Sequence, residues 1–415
     1  MESKKSTQSD TIETHISQLL NLPDSDPDGK KHIDAMASIL TEITGISSDF
    51  DMNAWQDANL DTGIAISPVQ AAKCTDQVIR TKRFIQGVKS CLDKKLAIKS
   101  DVNVLYAGTG PYGMLLLPLL TLYQKRPINV TLIDVHSENT QAIKKLIEAL
   151  DLEEFTEGIH HVDATTWQPD GSIQFDIIIS ETMNTLLERE PQVSIFSHLV
   201  QFLYDDGDLI PEQVLLGARL KAYEIYNEPF IDLGNFFTLN KLSCQKLSDG
   251  DKTPLSGSIE LPERFSAMAY QMVQMTTDIQ VYENIWLHEN DCSLNNVKSY
   301  KRLKLKPGGQ IKFTYHIDKV PLFEFEFPTG SVTFDDTKVP DSANTTIKQL
   351  NRFWQATRQL NEGNKDNTFA ATNYQTFRAF HDKFDVDYGA SLGFILQYQP
   401  DFSEFVSWFD GQCAQ

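Results

Sequence analysis

Val102-Asn-Val-Leu-Tyr-Ala107-Gly108-Thr-Gly110-Pro-Tyr-Gly113 is an apolar run that breaks into a literal G-x-G-x-x-G. The run has the length and composition of a strand, and the glycines let the backbone turn tightly and a ligand approach without a Cβ clash. Working outward, short apolar runs alternate with longer segments of helical periodicity: 111–124, Asn129–Asp134, 137–150, Gly158–Val162, Phe175–Ser180 and 190–204. That alternation predicts a parallel sheet with crossover helices, a Rossmann-like α/β domain over residues 63–212. Asp134 ends the second strand, 21 residues beyond Gly113, where a carboxylate can accept hydrogen bonds from both ribose hydroxyls of a nucleoside. The candidate cofactor-binding residues are therefore Ala107, Gly108, Thr109, Gly110 and Gly113 of the loop, with Asp134 and Val135 at the next strand end. Asp163 and Ala164 close the strand after that; Asp163 can accept the exocyclic amine of adenine or serve as a turn or N-cap residue. Loop and carboxylate do not separate a dinucleotide from S-adenosylmethionine, because both present a ribose to the same strand ends.

The fourth strand, Phe175-Asp-Ile-Ile-Ile-Ser180, is apolar enough to be buried on both faces and delivers Glu181 to the carboxyl edge of the sheet. Glu190 follows nine positions later, so a hairpin-like loop can bring the two carboxylates together. Paired carboxylates suit a cationic nitrogen, and one of them acts as general base if its pKa is raised. On spacing alone, Glu188-Arg189-Glu190 reads equally well as the acidic first turn of a solvated helix.

Here the sequence resembles the protein arginine methyltransferases. Ser180-Glu181-Thr-Met183-Asn184-Thr-Leu186-Leu187-Glu-Arg-Glu190 is similar to that family's double-glutamate loop, with both glutamates in register. Asp76-Gln-Val-Ile-Arg80-Thr81 resembles its Asp-x-x-Arg-Thr helix with one residue added, and Gly207-Asp-Leu-Ile-Pro211 its Gly-x-x-x-Pro strand. The resemblance covers roughly residues 63–225, with weaker support to about 330. It implies a class I methyltransferase with S-adenosylmethionine as cofactor. It further implies that Arg80, or else Arg83, contacts the cofactor carboxylate, that Asp134 takes the ribose, and that Glu181 and Glu190 are catalytic and grip the acceptor. The sequence departs from the pattern at Tyr106, where class I enzymes commonly carry an acid, and at Pro111 and Asn184, which stand for glycines. Trp286-Leu-His288-Glu is the nearest counterpart of the family's Thr-His-Trp motif and makes His288 a further candidate.

Flanking patterns predict a helical region over 1–62, a mixed β, barrel-like substrate domain over 213–335, and a helical region over 336–415. The five cysteines are scattered without a CxxC pair, which fits neither a disulfide framework nor a zinc site. A net charge of −20 argues against nucleic acid as partner and permits a basic protein or peptide, or a small metabolite, as acceptor. The polar stretch Met1–Asp10 lacks the apolar core of a signal peptide, and the longest apolar run, Met114–Leu120, is far short of the about 20 residues that span a bilayer, so a cytoplasmic location without membrane contact is expected. The expected function is methyl transfer to an amine or guanidinium nitrogen, or to a related small-molecule nucleophile. The alternatives are an NAD(P)-dependent oxidoreductase, from the glycine motif, and a non-catalytic scaffold, from the departures. A homodimer is expected from the resemblance alone.

Overall fold

The computed structural model describes residues 2–23, 26–48, 56–222, 230–265, 267, 270–329, 343–361, 377–378, 380–382 and 384–413. Two helices open the chain, α1 (Glu2–Asn21) and α2 (Asp28–Thr44), the second closed by Gly45 in the left-handed region at φ 79°. Their apolar positions recur at helical spacing, and Ile12, Ile16, Leu19, Ile33, Met36 and Leu40 are all buried. The pair is docked on the following domain: Ser9 Oγ donates to Leu150 O and Lys145 Nζ to Thr44 O, at 3.2 and 3.0 Å. A hairpin of β1 (Ala58–Leu60) and β2 (Gly63–Ala65) then straddles the position where the first domain was expected to end. It leads into α3 (Pro68–Lys73), which Ser67 caps and Pro68 starts, and α4 (Val78–Ile98).

The central sheet has five parallel strands in the order β5-β4-β3-β6-β7: β3 (Val102–Ala107), β4 (Ile128–Asp134), β5 (Thr156–His161), β6 (Phe175–Ser180) and β7 (Leu203–Ile210). The chain winds outward from β3 to β5 and returns to the other side of β3, which makes the β3/β6 boundary the topological switch point of a Rossmann-like fold. All six residues of β6 are buried, as a strand covered on both faces requires. The expected helix over 111–124 is mostly absent. Residues 111–116 form turns, and α5 spans only Leu117–Leu120 before a 3-10 turn at Thr121–Tyr123. Gly110 and Gly113 sit at φ 59° and 53°, outside the helical region, and Leu116, Leu117, Leu119 and Leu120 are all buried. The segment is apolar on every side, so it fills the core as a plug. The crossovers towards the two edges are α6 (Ser137–Ala149), between β4 and β5, and α7 (Gln192–Leu199), between β6 and β7. The helix expected over 190–204 begins only after Pro191 and gives way to β7 at Leu203.

Beyond Pro211, β8 (Gln213–Lys221), β9 (Ile231–Asn240), α8 (Lys241–Ser248), β10 (Ser256–Glu260), β11 (Met272–Tyr282), β12 (Ile285–Leu287), β13 (Lys298–Lys301), β14 (Gln310–His316) and β15 (Leu322–Glu326) build the β domain. They form two antiparallel sheets, β12-β11-β8-β9 with β13 paired to β11, and β10-β14-β15. Strict alternation along β14 turns Ile311, Phe313 and Tyr315 inward. The two sheets are held together by rings: Phe236 lies 5.2 Å from Phe313 and 5.5 Å from Phe323, edge to face. The carboxyl-terminal helices α9 (Ala343–Asn361), α10 (Tyr388–Tyr398) and α11 (Phe402–Cys413) gather around Phe353, Phe380, Phe405 and Phe409. The expected boundary between residues 335 and 336 lies outside the described residues. Among the described residues no helix is long and apolar enough to cross a membrane.

Candidate active site

The carboxyl ends of β3, β4 and β6 open into a cavity of about 480 Å³, within the range that holds a small ligand or cofactor. Its walls bring together Arg80, Gly108, Thr109, Gly110, Asp134, Val135, Asp163, Ala164, Glu181 and Glu190. Two of the expected cofactor residues do not reach it. Ala107 is wholly buried in β3, and Gly113 packs under Leu117 and Ile143. Of the two arginines that the sequence left open, Arg80 faces the cavity and Arg83 does not. His288 is also elsewhere: it is exposed, stacks on Trp286, and its Nδ1 lies 2.8 Å from Asp278 Oδ1.

The glycine loop is a cradle that side chains would fill. Gly108 is at φ 72°, and a Cβ there would run into the Thr182 methyl. Asp134 ties this loop to the neighbouring crossover. Its Oδ2 accepts from Gly110 N at 3.0 Å and Thr109 Oγ1 at 3.3 Å, and its Oδ1 from His136 N at 2.9 Å and Asn139 Nδ2 at 3.1 Å. Burial pushes its pKa up, while the hydrogen bonds from His136 and Asn139 work against that shift. Asp163 Oδ1 is engaged by Thr165 N and Oγ1, so this residue does shape its own turn as well as line the cavity. Tyr106, standing where an acid is common, is buried on the cavity wall, and burial raises its phenol pKa far out of the neutral range.

At the other end, the Arg80 guanidinium forms an ion pair with Glu181 Oε2, both side chains being less than a tenth exposed. Glu181 Oε1 is buried without a hydrogen-bond partner. Glu190 is also buried, and its pKa is pushed up to about 7 by desolvation, with Arg80 and Arg189 pulling it down and Asp57 pushing it further up. The helix-start reading of Glu188–Glu190 is thus overturned, since helix α7 begins only after Pro191 and Glu190 is turned inward. Between the glutamates, Leu186, Leu187 and Arg189 hold left-handed φ of 57°, 56° and 70°, a conformation costly for side-chain-bearing residues. Contacts from the β domain fix it: Tyr315 Oη donates to Leu187 O at 2.6 Å, Arg189 N donates to Pro321 O at 2.7 Å, and Leu186 N donates to Thr277 Oγ1 at 3.3 Å. Asn184 replaces a glycine at no conformational cost, because its backbone is extended and its side chain caps Thr185 N at 2.7 Å.

Sequence reasoning missed several wall residues, among them His136, Asn139, Gln70, Tyr112 and Ser293. His136 Nε2 and Asn139 Oδ1 are buried without hydrogen-bond partners. Only their place just after the strand-end Asp134 could have flagged them. No family model matches the chain. No curated protein matches it either. Among solved structures, the Trypanosoma brucei PRMT1 enzyme-prozyme heterotetrameric complex with AdoHcy is similar at a TM-score of 0.42 and 12% identity, covering 62% of this chain and 92% of that one.

Proposed function

We propose that the protein is an S-adenosylmethionine-dependent methyltransferase, similar to the arginine methyltransferases, whose acceptor is a nitrogen held by Glu181 and Glu190. One observation carries this reading: a single cavity is walled at one end by the glycine loop and Asp134 and at the other by Arg80 and two buried glutamates. The cradle at Gly108 and Gly110 and the unpartnered atoms of His136 and Asn139 suit a nucleoside bearing polar groups, and the unpartnered Glu181 Oε1 suits the acceptor nitrogen. The cofactor supplies an electrophilic sulfonium methyl group. Arg80, with five N–H donors on a planar fork, can hold a ligand carboxylate as well as Glu181. Glu181 orients the acceptor nitrogen, and the Glu190 carboxylate accepts its proton, a task for which a pKa of about 7 is well placed.

A dinucleotide fits less well. Pyrophosphate sites are built on the amino terminus of the helix that follows the glycine loop. In this chain that helix is four buried residues, Leu117–Leu120, preceded by turns. The scaffold reading draws on the Arg80–Glu181 pair, which could serve as a purely structural contact. The test is transfer of labelled methyl from S-adenosylmethionine to candidate acceptors, with Glu181→Gln alongside. Transfer by the native chain that falls at least about 100-fold in a folded Glu181→Gln variant supports the proposal; the absence of transfer to basic proteins, peptides and small amines alike contradicts it.

A further inference from the structure

Asp134 has the place of a ribose-binding carboxylate, but its hydrogen-bonding capacity is nearly used up inside the protein. An ionised carboxylate offers about four lone-pair sites. Three are filled by firm donors, Gly110 N at 3.0 Å, His136 N at 2.9 Å and Asn139 Nδ2 at 3.1 Å. The fourth faces Thr109 Oγ1 at 3.3 Å, a hydroxyl that also lies 3.0 Å from Gly110 O and has one proton to give. Asp134 can therefore take one ligand hydroxyl, by releasing Thr109 to Gly110 O, and has no room for a second.

Two neighbours have the opposite problem. Asn139 is buried on the cavity wall, and its amide orientation is fixed because only its NH₂ can face the Asp134 carboxylate. Its Oδ1 is left as a buried acceptor with no donor. His136, held through its backbone N–H on the same carboxylate, leaves ring Nε2 buried and unpartnered on the same wall. Buried polar atoms without partners are uncommon in folded proteins, and each is costly until something satisfies it.

We propose that Asn139 and His136 complete the nucleoside site: a vicinal ribose diol gives one hydroxyl to Asp134 and the other to Asn139 Oδ1, with His136 Nε2 meeting the ligand beside them. The inference rests on the cofactor reading above, and it names the ligand class as a nucleoside with a free cis-diol. Asn139 and His136 are binding residues for that diol, and Asp134 becomes a positioning residue for the glycine loop as much as a ligand contact.

Calorimetry with S-adenosylhomocysteine and its 2′-deoxy and 3′-deoxy analogues tests this, using the native chain and the Asn139→Ala and His136→Ala variants. Each deoxygenation is expected to weaken binding to the native chain about tenfold, as loss of a buried hydrogen bond does. In Asn139→Ala one of the two penalties should disappear, and the variant should bind the matching deoxy analogue nearly as well as S-adenosylhomocysteine. A variant that binds more weakly but keeps both penalties assigns Asn139 a structural role only and overturns the inference while the cofactor reading stands. Should Asn139→Ala fail to fold, His136→Ala tests the contact beside the diol: it should keep both penalties and bind S-adenosylhomocysteine about tenfold more weakly, and unchanged affinity overturns the inference. If the folded native chain does not bind S-adenosylhomocysteine at all, both the inference and the cofactor reading fall.

Discussion

Glu190 faces two opposed demands: it is buried, which favours its neutral form, and it lies within electrostatic reach of Arg80, which favours its charge. Burial wins, and the group titrates near neutrality. For catalysis the consequence is a kcat/KM that climbs tenfold per pH unit up to about 7 and then levels, because the ionised form is needed to take the acceptor proton. The Glu190→Gln variant should lose both the activity, by at least about 100-fold, and the inflection. For stability the sign is reversed. A carboxyl raised from the ordinary glutamate range contributes fully below that range, and its contribution is lost as pH rises through about 7. Thermal unfolding followed from pH 5 to 9 should therefore show Glu190→Gln gaining on the native chain as pH rises to about 7 and holding a constant lead above it; parallel curves throughout would mean that Glu190 titrates as an ordinary exposed carboxylate.

At the scale of elements, the loop between the two glutamates is shaped from outside itself. Three left-handed residues are held by Tyr315, Thr277 and Pro321, all from the β domain. Replacing Tyr315 with Phe leaves the Leu187 carbonyl buried and unpaired, at a cost of about 1–3 kcal/mol. Activity should fall about tenfold as the loop loses its fixed geometry, while nucleoside affinity, set on the far side of the cavity, should be unchanged in calorimetry. A second variant, Gly108→Ala, combines a left-handed backbone with a collision against Thr182 and should weaken nucleoside binding at least about tenfold. Trimming Thr182 to Ser in the same chain should restore part of the loss, because it relieves the collision and leaves the backbone strain. These elements also mark where the sequence was readable. β3 and β6 are legible to the residue, since burial imposes a mostly apolar run, broken only by Asn103 in β3 and by Asp176 and the terminal Ser180 in β6. The segment 111–124 is not, because an all-round apolar stretch satisfies a buried plug as well as a helix. Glu181 and Glu190 could be nominated from spacing, but the pairing of Glu181 with Arg80 joins positions 101 residues apart and has no local signature. The unpartnered atoms of His136 and Asn139 depend on side-chain directions that no pattern encodes.

At the scale of the whole molecule, the α/β domain supplies the glycine loop and Asp134 to the cavity and the β domain braces the loop between Glu181 and Glu190, so the two are parts of one site. The net charge of −20 adds a property that no single residue has. If the acceptor is a basic protein or peptide, long-range attraction should speed its encounter, and kcat/KM should fall several-fold between about 50 and 200 mM salt. A small neutral amine should show no such dependence, so a salt titration separates the two acceptor classes. If the cavity at the β3/β6 switch point takes S-adenosylmethionine and not a dinucleotide, calorimetry of the native chain should show saturable one-to-one binding of S-adenosylhomocysteine and no heat from NAD; binding of NAD alone, or of neither, would overturn that assignment.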